Sequence, residues 1–385
     1  MLRWLTAGES HGRALVGILE GMPAGVPIAE AAFTELMLRR LSGYGRGSRA
    51  ASIERDKVEI LSGIRFGRTI GSPISMVIRN ADGAAHAASM DTFGARPPGV
   101  KPVTVPRPGH ADLAGALKYK TGDIRDIRER ASARETAMKC ALSVPARALL
   151  GELGVSSVAF VRRIGTKEAA IADTATVAGL VAGVRNVGDA FLTPDSQIVI
   201  PWTMLIDEAR AAGDTLGGVV EVRVDGLPAG LGSHAQSDRR LDYRLAAVVM
   251  GLPGVHGVEI GQPIKQSMLP GSQAHDPICW NEPRGWFRPT NLCGGIEGGM
   301  TNGSQLVIRA VMKPLPGSLP GEVPAMDSSH TPSHLAADRS DTVALAALAV
   351  AGESLVALEL VNALLERYEG DSISGMSESI ARQKA

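Results

Sequence analysis

Arg107-Pro108-Gly109-His110-Ala111-Asp112 puts a histidine on a turn shaped by proline and glycine. Further along, Arg130-Ala131-Ser132-Ala133-Arg134-Glu135-Thr136 opens a long apolar pattern. A helix start favours anions through its free N–H groups and its macrodipole. Two guanidiniums, a hydroxyl and a titratable imidazole suit a phosphorylated or multiply anionic ligand undergoing proton transfer. Gly8-Glu9-Ser10-His11-Gly12 precedes an expected strand over 14–19. Its glycines let the backbone pass close to another group, while Ser10 and His11 supply a hydroxyl and an imidazole. Arg339-Ser340-Asp341 stands at the mouth of the apolar run 342–365, where Asp341 reads equally as an N-cap or a catalytic acid. Each segment alone also has a plain structural reading, because arginines solvate helix ends and Gly-His pairs are common in turns.

The elements that must position these residues repeat. Gly21-Met22-Pro23-Ala24-Gly25 returns as Gly226-Leu227-Pro228-Ala229-Gly230. Each copy follows a β-rich run (14–19, 218–224), precedes a helical pattern (29–41, 239–250) and leads to Val-Glu-Ile, at Val58 and Val258. The segment 67–72 is echoed by 299–304, and strands ending at Arg79 and Arg309 follow. Each half closes on an arginine-led apolar helix, at Arg130 and Arg339. Similarities in one order argue for a duplicated unit, roughly 1–150 and 213–370; common Gly/Pro turns are the alternative. A strand–helix–strand unit must bury one apolar sheet face. Two copies can pack face to face around long helices over 138–150 and 343–365, bringing their arginine-bearing starts into one cleft. Between the halves, 155–164 reads as a strand and 169–181 as a helix; 80–100 and 317–338 read as long loops.

Composition narrows the partners. With 40 acids against 40 bases, no global field attracts nucleic acid, and 4% aromatics leave little for a base-stacking surface. Cys140, Cys279 and Cys293 are an odd number without metal spacing, which points to a reducing compartment and no disulfide framework. The start of the chain has no signal-peptide pattern, so the cytoplasm is expected. The run 342–365 carries Glu353 and Glu359 and reads as a core helix rather than a membrane span.

Together with Arg39-Arg40, Gly43-Tyr44-Gly45-Arg46-Gly47, Val58 to Gly63, Gly257 to Gly261, Gly294 to Gly303 and Lys313-Pro314, these motifs resemble the chorismate synthase family from Thr6 to Ser372. The resemblance implies an α+β fold: a β-α-β sandwich with an internal pseudo-twofold repeat and central long helices between antiparallel sheets. It implies one such domain over 1–385 and a homotetramer. It also implies a carbon–oxygen lyase that eliminates phosphate from 5-enolpyruvylshikimate 3-phosphate, anti and 1,4, giving chorismate. Reduced FMN is required without net redox change.

By the same resemblance His11 protonates the departing phosphate and His110 stabilises or protonates the reduced flavin. Asp341 accepts a proton from flavin N5, after N5 has taken it from C6 of the substrate. Substrate contacts fall on Ser10, Arg40, Arg46, Arg49, Arg107, Ser132, Arg134 and Arg339. No metal-binding spacing accompanies these arginines, so they must neutralise the phosphate in place of Mg²⁺, and no metal is expected. FMN contacts fall on Arg130, Ala131, Ser132, Pro253, Gly254, Gly298, Lys313, Pro314, Leu315, Pro316, Gly317 and Arg339. Arg40 and Arg46 match arginines assigned to a nicotinamide cofactor in some members, and the overlap with a substrate role stays open. NADPH then enters only as a source of reductant. Nothing resembles an added reductase domain, so the reductant is external. His86, His234, His256, His275, His330 and His334 read as turn or surface residues. The chain departs from the family pattern at Pro253-Gly254, in 80–91, which lacks the usual tryptophans, and at Gly317. These departures keep a flavin reductase and a non-catalytic flavin- or anion-binding paralogue as alternatives.

Overall fold

Period-two alternation makes the first sheet. Arg3–Ala7 (β1) pairs antiparallel with Ala14–Glu20 (β2), where Leu15, Gly17 and Leu19 face inward and Val16 and Ile18 face out. Val58–Ile60 (β3) and Ile74–Arg79 (β4) complete the antiparallel order β1-β2-β4-β3. The second sheet uses Ser156–Ile164 (β5), Gly218–Asp225 (β6), Val255–Ile260 (β7) and Leu306–Met312 (β8), in the order β5-β6-β8-β7. All its pairings are antiparallel, and a two-residue strand, Lys167–Glu168, lies on its β5 edge. The two orders are the same pattern, so the fold carries the expected internal pseudo-twofold repeat. The segment between the halves supplies the first strand of the second sheet. The computed structural model describes residues 1–47, 56–316, 325–327, 330–333 and 341–384. The expected site residues Arg49, Gly317 and Arg339 lie outside the described residues, as does most of the loop expected over 317–338.

The main helices in chain order are Glu30–Leu41 (α1), Asp112–Tyr119 (α2), Arg125–Ala131 (α3), Thr136–Glu152 (α4), Val177–Val187 (α5), Val199–Ala211 (α6), Leu241–Met250 (α7) and Leu345–Arg367 (α8), with shorter turns at Pro263–Ser267 and Gly271–Ala274 and a last helix at Ile373–Lys384. α1 buries Phe33, Leu36, Met37 and Arg40, one face of the helical period, with Glu30 in its first turn and Arg39 and Arg40 in its last. α4 and α8 are apolar nearly all round, as helices enclosed on every side must be. α4 packs on β2 and β4, α8 packs on β5 and β6, and the two pack on each other with α1 and α7 alongside. α8 is long and apolar enough to cross a membrane, yet most of it is buried between the sheets. Its buried Glu353 is paired with Arg147 at 3.0 Å and accepts from Ser157 Oγ at 2.7 Å, and Glu359 is paired with Arg244 at 2.5 Å.

The sheets differ in what covers their outer faces. β6 is buried on both faces because α5 lies over it and over β5. The outer face of the first sheet leaves Leu5, Val16 and Ile18 exposed.

Three boundaries differ from expectation. The helix expected over 169–181 starts at Val177, where Thr176 caps it by accepting the Gly179 N–H; Ala169 instead donates its N–H to Arg162 O. The arginine cluster at 130–134 does not open α4. Arg130 and Ala131 end the short helix α3, Ser132 is extended and caps a 3₁₀ turn, and α4 begins at Thr136. The last long helix begins at Leu345 with Ala344 as its N-cap, so Asp341 is not the capping residue.

The distance between α4 and β2 is set by Gly17. A Cβ there would lie 2.6 Å from Met138 Sδ and 3.1 Å from Leu142 Cδ1, both in the core. Gly17→Ala should therefore cost about 1–3 kcal/mol through overpacking. A urea midpoint lowered at constant m-value is the expected result; an unchanged midpoint would show that Met138 turns aside without cost.

Candidate active site

His11 stands on a loop that only glycine can start. Gly8 has φ +107°, and a Cβ there would lie 2.3 Å from Ala14 O. The loop is clasped by α3. Ser10 N–H donates to Glu129 O at 3.0 Å, and His11 N–H donates to Glu129 Oε2 at 2.7 Å. Glu129 Oε1 lies 2.8 Å from His11 Nδ1. A carboxylate can only accept here, so Nδ1 carries the proton. Burial pushes the Glu129 carboxyl up, but the His11 ring, its N–H and Arg125 outweigh burial and hold it below the usual glutamate value. Ser132 Oγ donates to Ser10 Oγ at 3.2 Å, so both expected serines belong to this loop.

His110 is organised around Asp112, the first residue of α2. The Asp112 carboxylate is fully buried and accepts from Arg107 N–H at 3.0 Å, Arg107 Nε at 3.1 Å and Arg128 Nη2 at 2.9 Å. His110 Nδ1 lies 2.5 Å from its other oxygen. Burial opposes its charge, yet the His110 and Arg107 hydrogen bonds hold the carboxyl far below the ordinary aspartate value. Arg107 Nη2 lies 3.1 Å from His110 Nε2, and a guanidinium can only donate. His110 is thus engaged at both nitrogens, and Nε2 becomes available to another group only when Arg107 turns away.

The remaining arginines divide into supporters and surface groups. Arg40 and Arg134 are buried and share Asp56, at 3.3 Å and 2.7 Å. Arg134 also donates twice to Asn80 Oδ1, and Asn80 Nδ2 donates to Glu9 O and Gly12 O. This network backs the His11 loop from behind. Arg130 reaches Thr6 and Gly8 carbonyls and tethers the end of β1. Arg46 Nη1 and Gly47 N–H both donate to the Asp341 carboxylate, at 2.5 Å and 2.6 Å.

A run of hydrogen bonds connects Asp341 to the His110 turn. Thr342 N–H bonds Gly45 O, Leu216 N–H bonds Thr342 O, and Thr215 Oγ1 bonds Leu315 O. Lys313 Nζ then donates to Gly109 O, beside His110. The Lys313 N–H donates to Gly254 O, which joins Pro253-Gly254 to the Lys313–Pro316 segment. Gly298 sits elsewhere, turning the hairpin between Ile296–Glu297 and Met300–Thr301, with open space where its Cβ would be.

Sequence reasoning missed several members. Asp112 has a local signal, lying two residues after His110. Glu129, Asp56, Asn80, Arg125 and Arg128 had none, because their partners are distant in the chain. The Nε–H groups of Arg125 and Arg128 are buried without an acceptor among the described residues, and so suit an anionic ligand. His86, expected as a turn or surface residue, packs on His11 with ring centroids 4.3 Å apart. Beside them a pocket of about 550 Å³ is lined by His11, Arg13, Asn80, Met90 and Asp91. His11, Asp82 and His86 bring one ligand atom each within 4.8 Å of one another.

Because the Glu129 and Asp112 carboxyls titrate lower folded than unfolded, their stabilisation is complete above the ordinary carboxylate range and drains away as pH falls from about 5. Asp112→Asn should cost about 3–5 kcal/mol at pH 7, since it strands two guanidiniums on a buried neutral group. It should also flatten the fall in urea midpoint between about pH 5 and 3. A variant with the wild-type slope would remove Asp112 from the acid response.

The family model described as chorismate synthase matches residues 2–365. A chorismate synthase of Desulforamulus reducens is 48% identical over 373 residues, covering 97% of this chain and 96% of that protein. One from Thermus thermophilus is 43% identical over 383 residues, covering 100% of this chain and 98% of that protein. A crystal structure of chorismate synthase superimposes with a TM-score of 0.79 at 36% identity, over 99% of this chain and 97% of that one. With matches along nearly its whole length in sequence and in fold, the chain belongs to the chorismate synthase family.

Proposed function

We propose that the chain converts 5-enolpyruvylshikimate 3-phosphate to chorismate by anti-1,4-elimination of phosphate, with reduced FMN bound. The observation that carries this reading is the His11–Glu129 clasp on α3, the helix that also holds two buried guanidinium N–H groups with no acceptor among the described residues. Reduced FMN, when bound, lends electron density to the allylic system with no net redox change.

The residues fit such a ligand set. Arg125 and Arg128 offer buried donors to an anion. Arg130, Ala131, Ser132, the Pro253-Gly254 turn and Lys313 to Pro316 are the remaining candidates to hold FMN, with Gly317 and Arg339.

Each acid–base group has a distinct support. Protonated His11 delivers its Nε2 proton to the leaving phosphate, while Glu129 stabilises the charged ring and keeps it aimed. The Asp341 carboxylate, oriented by Arg46 and Gly47, takes up the proton that leaves the substrate. When an anion draws Arg107 away, His110 Nε2 is released to serve the reduced flavin. Arg40 and Arg134 act through Asp56 and Asn80 on the shape of the pocket.

The enzyme works in the cytoplasm with reductant supplied from outside, NADPH serving only as its ultimate source. Leu5, Val16 and Ile18 on the bare outer face of the first sheet support assembly with further copies, as in a homotetramer.

An anaerobic assay tests the reading. Chorismate should form only when substrate and chemically reduced FMN are both present. His11→Ala and Asp341→Ala should each lower kcat by ~10²–10⁴-fold with an unchanged circular dichroism spectrum. Tight ligand binding with neither phosphate release nor chorismate, or NADPH consumption without substrate, would sink it.

A further inference from the structure

We propose that His11, Asp82 and His86 form a binding site for a divalent transition ion of the zinc class. Where the function above holds, the bound ion also takes His11 Nε2 out of proton transfer. Among the described residues this is the one grouping of three such side chains whose ligand atoms lie within 4.8 Å of one another. A tetrahedral zinc ion with ligands at about 2.0–2.2 Å needs them about 3.4 Å apart, so side-chain shifts of about 1 Å complete the geometry. Two imidazoles and one carboxylate favour zinc, nickel, cobalt or copper over magnesium or calcium, which prefer oxygen alone.

The placement is built into the fold. Asn80 N–H donates to Arg13 O, and Asn80 Nδ2 donates to Glu9 O and Gly12 O. Gly83 sits so close to Gly12 that a Cβ would lie 3.0 Å from its carbonyl oxygen. These contacts press the turn carrying Asp82 and His86 onto the His11 loop, and the two rings meet at 4.3 Å, tilted by 51°. Glu129 supplies the outer carboxylate that metal-bound histidines commonly have, engaging His11 Nδ1 at 2.8 Å. The pocket of about 550 Å³ beside His11 gives an entry path and room for water in the fourth position.

Calorimetric titration of the full-length apoprotein with Zn²⁺, and visible spectroscopy with Co²⁺, test the site without reference to catalysis. One equivalent of Zn²⁺ should bind per chain. His86→Ala and Asp82→Asn should each weaken binding about tenfold or more and abolish the tetrahedral Co²⁺ bands. His86→Gln, a closer match in shape, guards against misfolding, with thermal midpoints as the control. Zn²⁺ should suppress wild-type chorismate formation at concentrations that leave the His86→Ala rate at its own metal-free value. Equal zinc affinity in wild type and folded His86 variants, or no stoichiometric binding, would overturn the proposal. Zinc bound through these residues by a chain that makes no chorismate would uphold the site while removing the catalytic reading.

Discussion

Three consecutive residues of one short helix hold the site together. Arg128 donates to Asp112, Glu129 clasps His11, and Arg130 reaches the carbonyls of Thr6 and Gly8. Successive side chains on a helix fan out by about 100°. One rigid turn can therefore grip the His110 turn, the His11 loop and the end of β1 at the same time. Displacing α3 would disturb all three.

Behind that turn lies a fully charged interior. Asp56 is shared by Arg40 and Arg134, and Asn80 relays their positions to the backbone of the His11 loop. Burying these charges costs several kcal/mol per ion, and mutual attraction repays that cost only with good geometry. Such a network is a poor source of net stability. What it provides is one arrangement of loop, turn and helix start. The same logic applies to Glu353 and Arg147 at the centre of the α4–α8 contact.

Pseudo-symmetry explains how both halves reach the site. The two sheets share a strand order and trap α4 and α8 between them, so loops from opposite halves emerge side by side. Lys313 from the end of β8 touches Gly109, and Thr342, just before α8, pairs with Gly45. The halves have also diverged. A helix covers the outer face of one sheet, where Glu221 and Arg223 are buried in mutual contact, while the other sheet presents bare apolar residues.

Much was legible without coordinates. The i, i+3, i+4 face of α1, the alternation in β2 and the repeated Gly-x-Pro-Ala-Gly turns are local patterns, so the residues that encode them are neighbours in the chain. The motifs that carry His11, His110 and Asp341 are local for the same reason, each short and distinctive. Helix limits were less legible where capping prevailed over apolarity, as at Thr176 and Ser132. The pairings of Glu129 with His11, of Arg46 with Asp341 and of His86 with His11 join segments that no periodicity relates. The sequence by itself determined which residue types were available and which short elements would carry them, because propensity and period act over a few residues. Only the tertiary structure decided which carboxylate faces which imidazole, because that depends on how two sheets and two buried helices bring distant loops to one place.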